Sequence, residues 1–230
     1  MVDGPIVSVR GEVHLEVPPE LARFSVTVAA RDRDRQATLT RLTERVETVR
    51  RLVDGYGPAI DRRETGQLWV RPELKRSGER VVAYHGSVST TVTVTDFAVL
   101  GELMMRLADQ GQTTVAGPWW ELRPDSPVHR EARRAAIDDA FTRAREYAEA
   151  LGTEITALLE VSDTGPAGQP MMMTRAAYGE SMSVGSGGLP ELDLDPQPQS
   201  AQASVEARFM ISEPAWTTRG RDDGGADPTD

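Results

Sequence analysis

The sequence has no cysteine among its 230 residues. That excludes disulfides, thiol nucleophiles and cysteine-ligated zinc or iron–sulfur centres. Histidine is scarce too: His14, His85 and His129 are far apart, with no i, i+4 pair. A zinc site would have to gather its ligands from separate elements, so the three read as polar positions on strand faces and near a helix start. Lysine occurs once, at Lys75, against 26 basic residues in all, a bias of composition rather than a motif. No apolar run approaches the roughly 20 residues a membrane span needs. The opening residues MVDGPIVSVRGEV show neither a basic n-region nor an apolar h-region, so a cytoplasmic location is the expectation. Basic charge is also in deficit, with a net −10, which disfavours binding to nucleic acid.

What is present begins with a long periodic stretch, Ser126 to Gly152. Ala132, Ala136, Ala140, Ala144 and Ala148 form an i, i+4 row, with Ile137, Phe141, Tyr147 and Leu151 beside it. That spacing predicts one helical face. Ser126 suits the N-cap, Pro127 the first helical position and Gly152 the left-handed residue past the end. A row of methyls permits close approach, so this is the expected main packing helix.

Before it, Ile6–Val17 alternates with an expected bend at Gly11, and Phe24, Val26 and Val28 predict its hairpin partner. Leu39, Leu42, Val46, Val49 and Val53 predict a helix capped by Asp32 or Asp34. Leu68 and Val70 mark a strand limited by Pro72. Val82 to Val94 alternates through Gly86 as the clearest strand. Asp96 caps a short helix with Phe97, Leu100, Leu103, Met104 and Leu107 inward. Val115–Leu122 is a strand, as are Ile155–Val161 and, after a long break, Ala203–Ile211.

The element order is therefore ββαββ followed by αβαββ. The expected class is α+β, a mostly antiparallel sheet with helices packed on one face. Residues 1–212 are expected to form the domain, with halves 5–95 and 96–212, and 213–230 a disordered acidic tail. The stretch 163–198 holds five prolines and six glycines, which predicts a functional loop, a lid or an insert.

No residue pattern predicts a catalytic, cofactor-binding or metal-binding site. Adjacent Asp138 and Asp139 point to different sides of their helix, so they cannot work as an acid/base pair, and Asp139–Arg143 reads as helix decoration. Ser183–Gly188 lacks the lysine and the strand–helix context of a phosphate loop. Met171, Met172 and Met173 are candidates for oxidation, since thioethers convert reversibly to polar sulfoxides. Trp119 and Trp120 are the candidate interface. Adjacent strand residues face opposite ways, and the core accommodates one indole.

Together the motifs resemble the SIMPL family, a group with bacterial periplasmic immunogenic and oxidative-stress-defence proteins. The resemblance rests on Val9-Arg10-Gly11-Glu12-Val13, Val17-Pro18-Pro19-Glu20-Leu21-Ala22 and Ala83-Tyr84-His85-Gly86-Ser87 leading into Thr91-Val92-Thr93-Val94. Asp96-Phe97, Leu100-Gly101, Ala150-Leu151-Gly152, Pro170-Met171-Met172 with Arg175-Ala176-Ala177, and Ala203-Ser204-Val205 follow in order. Glu12 stands where the family pattern has a glycine, and Glu20 where it has an aspartate. The resemblance implies a non-enzymatic, homo-oligomeric interaction protein linked to oxidative or DNA-damage stress, with no cofactor and no transferable catalytic residue. The alternative is a small-ligand-binding or hydrolytic domain that uses 163–198 as a lid.

Overall fold

The structure is a computed structural model that describes residues 4–75, 80–164 and 192–214. Among the described residues, seven strands and three α-helices follow the expected order: β1 (Ile6–Val17), β2 (Leu21–Asp32), α1 (Arg35–Asp54), β3 (Ile60–Leu74), β4 (Val81–Val94), α2 (Leu100–Ala108), β5 (Thr113–Glu121), α3 (Pro127–Ala150), β6 (Ile155–Asp163) and β7 (Gln199–Ile211). The class is α+β, with the strands divided between two antiparallel sheets. One sheet has the order β1-β7-β6 and the other β3-β4-β2-β5. The described residues form two compact units that interleave along the chain. Residues 4–17, 124–164 and 200–214 make one, and 18–75, 80–123 and 192–199 the other.

In the first unit α3 lies on β1. Its five row alanines are all buried, whereas Ile137, Tyr147 and Leu151 are exposed and only Phe141 turns in, edge-on to Phe209 at 4.9 Å. Ser126 accepts the Val128 N–H at 3.3 Å, and Gly152 closes the helix at φ 67°, as the caps predict. Gly11 sits under this helix. A Cβ there would lie 2.0 Å from the Ala136 carbonyl oxygen and 2.6 Å from the Ala140 nitrogen, so the residue is needed for close approach, not for the expected bend. Asp139 also does more than pair with Arg143 at 3.0 Å. Its Oδ2 accepts the Glu12 N–H at 2.9 Å, a charge-assisted bond from helix to strand backbone.

In the second unit α1 lies over β2 and β4, and α2 against β5. The core comprises Phe24, Val26, Val28, Leu42, Val53, Val92, Leu103 and their neighbours. Asp34, not Asp32, caps α1 by accepting the Ala37 N–H at 2.8 Å. The Asp32 carboxylate instead accepts the Asp34 N–H at 3.0 Å.

Two strand expectations are corrected. The hairpin of β1 with β2 does not form, because the strands belong to different sheets. The Pro18-Pro19 break between them ends one sheet's strand and begins the other's. Pro72 does not limit β3 either. It pairs with Tyr84 inside a strand that runs from Ile60 to Leu74. β3 is an edge strand, where a missing backbone donor leaves no ladder bond broken on the outer side.

Gly11→Ala is expected to destabilise the protein by about 2 kcal/mol or more, since the added methyl meets helix backbone that cannot rotate away. Urea unfolding of the variant against the wild type measures it, and an unchanged midpoint would contradict the close contact.

Candidate functional site

Among the described residues, three polar clusters bring a histidine or a tyrosine together with other side chains that include a carboxylate. The first is on the three-stranded sheet. His14 Nδ1 lies 2.9 Å from Gln202 Nε2 and 3.2 Å from Ser200 Oγ, and Nε2 lies 4.0 Å from the Glu16 carboxylate. Serine, histidine and glutamate are the components of a nucleophilic triad, but the geometry fails. The Ser200 hydroxyl is nearly as close to Nε2, 3.4 Å, so it is aligned with neither ring nitrogen. Glu16 is too distant to orient the ring by a hydrogen bond, and all four groups are exposed.

The second cluster closes one end of the four-stranded sheet. Arg31 donates from Nε to Glu73 Oε2 at 2.8 Å and from a terminal nitrogen to Oε1 at 3.2 Å. His85, opposite Arg31 in the ladder, places Nε2 3.1 Å from the same carboxylate. The Arg31 hydrogen bonds hold the Glu73 carboxyl below the usual carboxylate range, against partial desolvation, with smaller help from His85. The bond to Glu73 raises the guanidinium in turn. A carboxylate held this firmly in its charged form is a poor general base at neutral pH, so the cluster ties β2, β3 and β4 together.

In the third, Tyr56 Oη donates to Glu102 at 3.1 Å and accepts from Arg106 at 3.3 Å. Burial raises the phenol, opposed by the Arg106 bond. This triad joins the end of α1 to α2.

The structure separates the two tryptophans. Trp120 turns toward the core, edge-on to Phe97 at 4.9 Å. Trp119 is 40% exposed and stands opposite Arg23, which pairs with Glu121. Alternation along β5 requires opposite faces but does not say which is inner. Register against β2 decides, since Trp120 pairs with the fully buried Ala22. Met171, Met172 and Met173 lie outside the described residues, as does most of the 163–198 loop.

Among the described residues no group of three His, Asp or Glu side chains is placed to hold a metal ion. A shallow concavity of about 460 Å³ on the three-stranded sheet is lined by Ser8, Arg10, Glu160, Ser162, Glu206 and Arg208. Its arginines are already neutralised, Arg10 by Glu12 at 2.6 Å and Arg208 by Glu160 at 3.4 Å.

The Glu73 cluster has a definite pH signature. With its folded-state value depressed, Glu73 stabilises the fold fully above the unfolded value of about 4.3, and that contribution is lost as pH falls through the lower folded value. Urea midpoints of wild type and Glu73→Gln are expected to differ at neutral pH, and the difference to shrink progressively as pH falls below the unfolded value of about 4.3. A gap unchanged as pH falls from neutral through the unfolded value and below it would contradict the charged pairing.

Comparisons with known proteins follow from the whole chain rather than from any cluster. The 26 kDa periplasmic immunogenic proteins of Brucella melitensis and Brucella abortus are each 26% identical over 186 residues, covering 75% of this chain and 72% of theirs. A solved structure of a candidate amidohydrolase/peptidase from Burkholderia cenocepacia is alike at 17% identity and TM-score 0.28, over 60% of this chain and 36% of that one. That likeness is too low to bear on fold or activity. The SIMPL family model, described as "Protein of unknown function (DUF541)", matches residues 7–209, and the chain belongs to the SIMPL family.

Proposed function

We propose that this chain is a non-enzymatic interaction protein that self-associates in the cytoplasm and serves the response to oxidative or DNA-damaging stress. The observation that carries the self-association is Trp119, a large indole left 40% exposed on β5, an edge strand of its sheet. Edge strands offer unpaired backbone groups to another chain, and a tryptophan beside one is a strong anchor. The non-enzymatic reading is supported by the misaligned Ser200–His14–Glu16 group and by carboxylates already committed to arginines. The stress role is supported by family membership and by the Met171–Met173 run. The word periplasmic in the relatives' names describes those proteins, and subcellular fractionation tests the cytoplasmic placement.

Light scattering coupled to size exclusion is the test of assembly. A particle larger than 25.1 kDa is expected at micromolar concentration, unaffected by removal of residues 213–230. Trp119→Ala is expected to shift it toward the monomer. Trp120→Ala is expected instead to lower stability by about 3 kcal/mol, as for a core aromatic. A wild-type particle of monomer mass would overturn the proposal.

Graded peroxide followed by peptide mass spectrometry tests the stress element. Met171, Met172 and Met173 are expected to oxidise before Met104, which is buried against the core. Equal or reversed rates would detach any stress role from these residues.

A further inference from the structure

The four-stranded sheet has one apolar face and one hydroxyl face. On β2, Ala22, Phe24, Val26, Val28 and Ala30 are core residues, so the odd-numbered positions point the other way. There the ladder sets Thr27 opposite Ser89, Ser25 opposite Thr91, Ala29 opposite Ser87 and Arg23 opposite Thr93. The result is a grid of hydroxyls spaced about 5 Å across the strands and about 6.7 Å along them. The Ser89 hydroxyl accepts the Gln67 N–H at 3.0 Å. The other five make no side-chain hydrogen bond among the described residues.

Two of these are unusual. Ser87 and Thr93 are only 7% and 2% exposed, yet among the described residues neither hydroxyl has a partner and no unpartnered side-chain oxygen is sealed from the surface. Both residues are packed almost completely, with the hydroxyl oxygen just reaching the surface. Beside them Trp69 stands opposite Ser87, with the Arg71 guanidinium 4.5 Å over its ring.

The chemistry of this face selects its partner. A protein interface has an apolar centre, whereas here the centre is hydroxyl. A nucleic acid requires free cations to neutralise phosphates. Arg23 is paired with Glu121, Arg31 with Glu73 and Arg62 with Glu64, which leaves Arg71 as the cation of this face without an ion pair among the described residues, in a chain of net charge −10. A sugar chain meets both halves of the surface. Its hydroxyls donate and accept as serine and threonine do, and its C–H face packs on the apolar body of an indole. We propose that this face binds an extended neutral saccharide chain, with the hydroxyls of β2 and β4 taking its hydroxyl groups and Trp69 stacking on one ring. Trp119 stands at the β5 side of this same face, opposite Arg23, so saccharide binding is separated from self-association by its own residues, Thr27 and Trp69.

The test is calorimetric titration of the full chain with chitohexaose, cellohexaose and dextran, with indole fluorescence as a second readout. Saturable binding to at least one is expected. Thr27→Val keeps the side-chain shape and removes one hydroxyl, and Trp69→Ala removes the stacking surface. Each is expected to weaken binding about tenfold, the effect of losing one hydrogen bond or one ring contact. Thr43→Val, on the exposed side of α1, is expected to leave it within twofold. If Trp69→Ala does not fold, Thr27→Val decides. No binding to any of the three, binding untouched by Thr27→Val, or tighter binding to a single-stranded oligothymidylate than to every saccharide would overturn the proposal.

Discussion

The contact of α3 with β1 is the constraint on which the first unit depends. Helix backbone and strand backbone meet almost directly, with alanine methyls on one side and Gly11 on the other. Such a contact gains little from burial, since one methyl contributes only about 0.8 kcal/mol. It gains from close packing, and from the Glu12 N–H donated to Asp139. A larger residue at either surface would separate the backbones and break that bond. The same contact places β1 in the unit that contains β7, where the Ile211 N–H reaches the Pro5 carbonyl at 3.0 Å. β1 is thereby bound to β7.

The second unit follows the opposite logic. Its core is built from branched and aromatic side chains between two helices and one sheet face, so bulk does there what close approach does under α3. The price is that the sheet's other face must be polar, and strand alternation then fixes both faces together. Register carries this to β5, where Trp120 goes to the core beside Phe97 and Trp119 to the surface beside Arg23.

Where a carboxylate meets a histidine, at Glu73 and His85, Arg31 already holds the carboxylate charged. Where serine meets histidine, at Ser200 and His14, the hydroxyl is aligned with neither nitrogen. Arginine, abundant in this chain, forms ion pairs between strands and within helices. Among the described residues, an exposed indole on one edge strand and a set of hydroxyls on one sheet face stand outside these pairings.

Much of this was legible without coordinates. The element order, the inward alanine row, the caps at Ser126 and Gly152 and the opposed tryptophans all follow from local rules of spacing and backbone conformation. Those rules act over a few residues, so the sequence alone determines them. Pairing partners were not legible, because a strand's alternation says which side is apolar and not which strand lies beside it. Hence β1 read as the partner of β2, although it joins β7. Pro72 read as an end because its permitted place on an edge strand depends on sheet order. Gly11 read as a bend because a helix more than a hundred residues away supplies its reason. The sequence by itself determined the elements and their faces. Tertiary structure decided which sheet each strand enters, which tryptophan is exposed and which hydroxyls gather on one surface, because each depends on register between segments distant in the chain.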